Sequence, residues 1–181
     1  MLLISQNLWN YDIAVPKDTV MRINLAWVDD LAELAEMVSS VQNSVFLDVP
    51  TGRNKPPNNR YTLEQVAPVL AQHPNIRYVA ISNVETGEVI EQFRSVLGDD
   101  INLVPKIETR VGIGNIAAIR ASLGDDATMM LDHDDLFNDV MTSDGDAAEY
   151  TGLINQLVKF CAANGVRLLR TRGVIFSDRD S

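Results

Sequence analysis

Residues 102–136, NLVPKIETRVGIGNIAAIRASLGDDATMMLDHDDL, decide how the rest of the chain is read. The opening run is apolar and ends in Lys106 and Glu108, two residues apart and so on one face of an extended strand, where side chains alternate. A helical repeat follows, with Ile113, Ile116, Ile119 and Leu123 spaced by three and four and closed by Gly124. A second apolar run, Thr128 to Leu131, ends in Asp132-His133-Asp134-Asp135. A strand, a helix and a strand in that order imply two parallel strands whose carboxyl ends share one edge of a sheet. The charged groups at those ends form a candidate site.

The same alternation extends in both directions. Upstream, MLLISQ reads as a short strand and the next dozen residues as irregular connection. Val20 to Trp27 alternates, with Arg22, Asn24 and Ala26 on one face and Met21, Ile23 and Leu25 on the other. Asp29 or Asp30 caps a helix whose stripe is Leu31, Leu34, Ala35 and Val38. A strand over Ser44 to Val49 leads into PTGRNKPPNNR, a loop by composition. Thr62 and Gln65 form a capping box ahead of the next helix, Ile76 to Val84 is a strand, and Val89 to Leu97 is a helix stopped by Gly98. Downstream, 141–148 is an acidic loop, Tyr150 to Asn164 is helical, and Val166 to Phe176 is the last strand. Nothing resembles a repeat, linker or low-complexity tract, so residues 1–181 are expected to form one domain.

Composition narrows the functional classes. A net charge of -10 argues against a nucleic-acid or anionic-membrane surface, because either partner demands a clustered basic face. Small ligands remain open, because local fields can oppose the global one. A single cysteine, Cys161, excludes an internal disulfide framework and falls within a helical apolar pattern, which suggests a buried core thiol. With no long apolar run and no signal-like N-terminus, a cytoplasmic location is expected.

Two closures of the sheet compete. Length favours an open doubly wound sheet, since a (β/α) barrel usually takes about 250 residues and rarely fewer than about 200. Polar residues at the ends of many strands, namely Arg22 and Asn24, Asp48, Ser82, Lys106 and Glu108, Asp135 and Thr171, favour a barrel, which gathers its site from all round one rim. The expected fold is therefore a TIM-type (β/α) barrel of about seven parallel strands.

Several segments resemble, in chain order, the catalytic barrel of pyruvate kinase within the phosphoenolpyruvate/pyruvate superfamily. They are MRINLAW (21–27), VFLDVPTGR (45–53), YVAISNVETGEVIEQFRSVL (78–97), VPKIETRVGIGNIAAI (104–119), MMLDHDDL (129–136) and LVKFCAANGVRLLRTRGV (157–174). The resemblance implies that Glu108 and Asp135 are carboxylate ligands of a divalent metal, Mg2+ by preference for oxygen donors. It makes Lys106 an electrophile beside an enolate oxygen, Arg22 the holder of a phosphate or carboxylate, and Thr171 a neighbour of the enolate carbon. Asn24 and Asp48 match positions that bind a monovalent cation, but Ala26 replaces a serine of that site, which puts the cation in doubt. The implied activity is metal-dependent enolate chemistry on pyruvate, phosphoenolpyruvate or a related 2-oxo acid. A lyase or aldolase fits better than a transferase, because the lid domain that helps hold a nucleotide is absent.

The departures support another class, a catalytically degenerate barrel that binds a small anion or a protein. Asp134 stands where the family has a glycine, and its bulk and charge oppose a substrate carboxylate there. The eighth strand is missing, so the barrel is truncated, and its open edges imply a homo-oligomer. By the structural reading, Asp132 and Asp134 are helix N-caps, His133 is a loop histidine, and Lys106 with Glu108 is a buried salt bridge.

Overall fold

Which face of each strand meets the helices follows from period-two alternation. The computed structural model describes residues 1–8, 16, 18–50 and 60–170. Within them β1 (Leu3–Ser5), β2 (Val20–Asn24), β3 (Val45–Val49), β4 (Ile76–Ile81) and β5 (Asn102–Pro105) form one parallel sheet in the order β1-β2-β3-β4-β5. A second parallel pair is made by β6 (Thr128–Leu131) and β7 (Arg167–Arg170). Between the strands run α1 (Leu31–Ser40), α2 (Leu63–Gln72), α3 (Gly87–Leu97), α4 (Arg110–Gly114), α5 (Ile116–Ala121), α6 (His133–Thr142) and α7 (Ala147–Ala163).

All seven helices lie against one face. Leu34 and Val38 of α1, Val66 and Leu70 of α2, Ile90 and Phe93 of α3, and their counterparts on the later helices join Ile23, Leu47, Ile81, Leu103 and Met129 in one buried cluster. The other face carries a smaller cluster drawn from strands alone: Val20, Phe46, Ala80, Val104 and Met130, with Leu3, Tyr78 and Leu169 against it. Burying each such aliphatic side chain is worth roughly 1.5–3 kcal/mol, so the helix-covered face carries most of the apolar stabilisation.

Local signals place the helices. Asp30 caps α1 through Glu33 N–H, and Thr62 with Gln65 makes a reciprocal capping box on α2. Gly98 ends α3 in a positive-φ conformation (φ 77°) that a side chain would oppose. The helix expected over 113–123 is broken into α4 and α5 at Asn115, after two glycines of poor helix propensity. The acidic run after β6 begins α6 at His133, and α6 takes in part of the expected acidic loop.

The expected truncated (β/α) barrel is corrected. Seven parallel strands are present, but they are hydrogen-bonded as a five-stranded and a two-stranded sheet, and no pairing joins β7 to β1 among the described residues. The sheets touch at one bridge, Lys106 with Met130, reinforced by Ile107 N–H donating to Met130 O at 2.8 Å. A strand donates to alternate sides: Lys106 N–H goes to Ile81 of β4 and Ile107 N–H to Met130 of β6. A donor at 105 would face β6, and Pro105 has none. Pro105 therefore removes one bond from the ladder between β5 and β6. The strand order runs without the reversal of a doubly wound sheet.

The expected buried thiol is found on α7. Cys161 is 2% exposed, and burial pushes its pKa up to about 11. Its thiolate is scarce at neutral pH and sterically shielded. Reaction with a disulfide reagent at pH 8 is expected to be at least about tenfold slower in the native chain than in urea; equal rates would contradict this packing.

Candidate metal centre

The strands' carboxyl ends bring charge together on the face away from the helices. Arg22 of β2 and Asp48 of β3 stand on neighbouring strands two residues apart in register, and the Arg22 guanidinium donates to Asp48 Oδ2. On the far side of Asp48 lies Lys106, its ammonium 3.7 Å from Asp48 Oδ1 and 2.8 Å from Glu108 Oε1. It also donates to Ser82 Oγ at 3.2 Å. Asp48, Lys106 and Glu108 are all buried. β5 stops at Pro105, so Lys106 and Glu108 extend past the strand, where the turn after β4 meets them. Asn83 N–H donates to Glu108 Oε2 at 2.8 Å, and Val84 N–H donates to Lys106 O at 3.1 Å.

A second group arrives from β6. Asp132 caps α6, its Oδ1 accepting from Asp134 N–H at 3.1 Å and Asp135 N–H at 3.5 Å. The cap sets Asp135 in the first turn, on the side of Glu108. Glu108, Asp132 and Asp135 each offer an oxygen within 4.8 Å of the others, so the three could hold a metal ion. An octahedral ion with oxygens at about 2.1 Å needs ligand separations of about 3–4.2 Å, within reach of this cluster. Glu108 Oε1 is buried 2.8 Å from the Lys106 ammonium, a contact that takes one of its lone pairs and leaves acceptor capacity for an ion.

The electrostatics divide the pair. Burial works against the Lys106 ammonium, but Asp48 and Glu108 outweigh it and leave its pKa above the ordinary lysine value. The stabilisation tied to its charge is complete below the unfolded lysine pKa and is lost only as pH rises through the raised folded value. Burial pushes Glu108 up; Lys106 and the Asn83 N–H oppose this, and Asp135 adds to it. Beside this group, His133 Nε2 accepts from Arg170 Nε at 3.1 Å and its Nδ1 faces Tyr150 Oη at 2.9 Å. Burial and then the Arg170 charge lower the His133 pKa, against the pull of Asp132 and Asp134. Thus His133 belongs to the first turn of α6 with both ring nitrogens engaged, not to a loop. A cavity of about 870 Å3 opens alongside, between β1 and β7, with Arg22, Met130 and His133 in its wall.

Of the residues singled out in the sequence, Lys106, Glu108, Asp135 and Arg22 converge, while Thr171 lies outside the described residues. Asp132 was read only as a cap; it is one, and it also faces Glu108 and Asp135. A cap signal and a ligand signal are the same residue type at a strand end, so sequence alone could not separate them. Asn24 spends its side chain on Ala26 N–H, closing the 3-10 turn after β2, and Asp48 is taken by Arg22 and Lys106. Both residues of the doubted monovalent-cation site thus have structural partners.

No family model matches the chain, and no curated protein matches it. Among solved structures it is similar to RipC from Yersinia pestis, with a TM-score of 0.63 and 17% identity over 88% of this chain and 72% of that one. At that identity the likeness concerns fold alone. The resemblance to pyruvate kinase is corrected accordingly: RipC is a structural neighbour, and no family or curated match carries the short motifs that suggested it. Polar residues at the carboxyl ends of parallel strands are common to many unrelated sites, so a few of them in chain order do not define a family.

Asp48 compensates two cations at once. Asp48→Asn is expected to destabilise the fold by about 3–5 kcal/mol in urea denaturation, as for breaking a buried ion pair. A loss below about 1 kcal/mol, typical of a surface pair, would show the network to be energetically idle.

Proposed function

We propose that the chain holds a divalent cation, magnesium by the hardness of its donors, on Glu108, Asp132 and Asp135, and binds a small carboxylate beside it. The substrate class is pyruvate, phosphoenolpyruvate or a related 2-oxo acid, and the chemistry is formation or cleavage of a bond next to its enolate, of lyase or aldolase type. The observation that carries this reading is the approach of the three carboxylates beside a buried lysine. Four carboxylates, Asp48, Glu108, Asp132 and Asp135, stand against two cations, Arg22 and Lys106, a deficit that one divalent ion makes good. All three ligands are oxygen donors, which suit magnesium or manganese better than softer metals.

The bound cation would supply Lewis-acid polarisation of a substrate oxygen. The chain's own residues do the rest. Lys106 remains an ammonium and stands where negative charge on an enolate oxygen is stabilised by a fixed donor. Arg22, partly exposed and on the cavity wall, turns part of its planar fork toward an incoming carboxylate while Asp48 holds the other. The outer edges of β1 and β7, unpaired among the described residues, favour self-association, which light scattering on the purified chain would register as a mass above the monomer.

A second reading has its own support. Asp132 is already engaged as a cap and Glu108 already contacts Lys106, so the cluster is partly satisfied without an ion. The site would then bind a small anion or a protein without turnover. Calorimetry with Mn2+ separates the two readings. The wild type is expected to bind one equivalent and Glu108→Gln to lose at least about tenfold in affinity, with the fold retained by circular dichroism. Incubation with pyruvate in D2O is expected to exchange the methyl protons only when the metal is present. Absence of Mn2+ binding would overturn the metal reading, and binding without exchange would leave the non-catalytic one.

A further inference from the structure

The turn Ser82-Asn83-Val84 touches the buried charge pair at three successive residues. Ser82 Oγ accepts from the Lys106 ammonium, Asn83 N–H donates to Glu108 Oε2, and Val84 N–H donates to Lys106 O. Asn83 has φ 53°, in the left-handed region that most L-residues avoid and asparagine tolerates. The turn is braced from behind: a Cβ on Gly112 would stand 2.7 Å from Val84 O, so α4 packs on this carbonyl with no room to spare. The Asn83 side chain is exposed, so it is the backbone that meets Glu108.

A left-handed residue there aims its N–H at the carboxylate. Oε2 of Glu108 is thereby committed to the turn and Oε1 to Lys106, and the same carboxylate stands in the cluster with Asp132 and Asp135. The geometry points to Asn83 as a positioning residue for the metal ligand. We propose that its left-handed backbone conformation fixes the Glu108 carboxylate plane and so sets the affinity of the cation site; this rests on the metal reading given above. Outer contacts that orient a ligand commonly change metal affinity by about 10–100-fold when lost.

The test compares backbone preference with side-chain chemistry. Asn83→Gly keeps the left-handed conformation and removes the side chain; Asn83→Val disfavours that conformation strongly; Asn83→Ala is the milder form should the valine variant not fold. Each is titrated with Mn2+ by calorimetry and by the loss of the free-ion paramagnetic resonance signal. Thermal melts check folding. Asn83→Gly is expected to bind within about twofold of wild type and Asn83→Val at least about tenfold more weakly, with Asn83→Ala between them. Equal affinity in all variants, or equal weakening in the glycine and valine variants, overturns the inference while leaving the metal site standing. No binding by the wild type removes the metal reading itself, and this inference with it.

Discussion

An ammonium buried between two carboxylates is the constraint on which the carboxyl edge of the sheet depends. Lys106 is 5% exposed and Glu108 1%, and a charge so enclosed is tolerated only where opposite charge and hydrogen bonds replace water. The replacements come from separate elements: Asp48 from β3, Ser82 from the turn after β4, and Glu108 from the segment after β5. Arg22 of β2 extends the chain of charges through Asp48. Each partner reaches the lysine only because β2 to β5 are parallel and in register, so packing of the apolar strands and placement of the charges are one requirement.

The two faces of the sheet divide the work. With α1 to α7 on one side, the described residues of the opposite side come from the strands and their ends, apolar toward the amino ends and charged toward the carboxyl ends. Along β2 that face passes from Val20 to Arg22 to Asn24, and along β3 from Phe46 to Asp48. One step of the pleat pair changes the environment from Phe46 against Tyr78 to Asp48 against Arg22. Low-dielectric surroundings beneath the charges strengthen their mutual attraction and any interaction with an ion above them.

Much of this was legible in the sequence, and the failures have physical causes. Alternation in VMRIN and VFLDV told which residues point away from the helices, and the Thr62–Gln65 capping box is present as expected. That the charged ends of β5 and β6 would meet followed from strand–helix–strand logic, while the choice of Asp135 from the acidic run came from the family resemblance. The barrel did not, because polar residues at the carboxyl ends of strands occur in open parallel sheets as well as in closed ones. The effect of Pro105 depends on which neighbour its missing N–H would face, a fact of register. The break at Asn115 depends on α4 being drawn against Val84 through Gly112, a tertiary contact that overrides the isoleucine repeat. The kinship failed because short motifs were asked to carry what only extended similarity can.

Asp132 shows why capping and cation binding are compatible in one side chain. A carboxylate has two oxygens and about four lone-pair sites; Oδ1 takes two backbone N–H groups of α6, which leaves the other oxygen's capacity for the cluster. The positive end of the helix works against a nearby cation, by an amount of order 0.3–1 kcal/mol. Against that stands the orientation already imposed by the cap, which removes rotamer freedom that an uncapped aspartate would lose on binding an ion. These terms are of similar size. The balance therefore rests on Glu108, whose buried oxygen gains most from a cation because water cannot reach it.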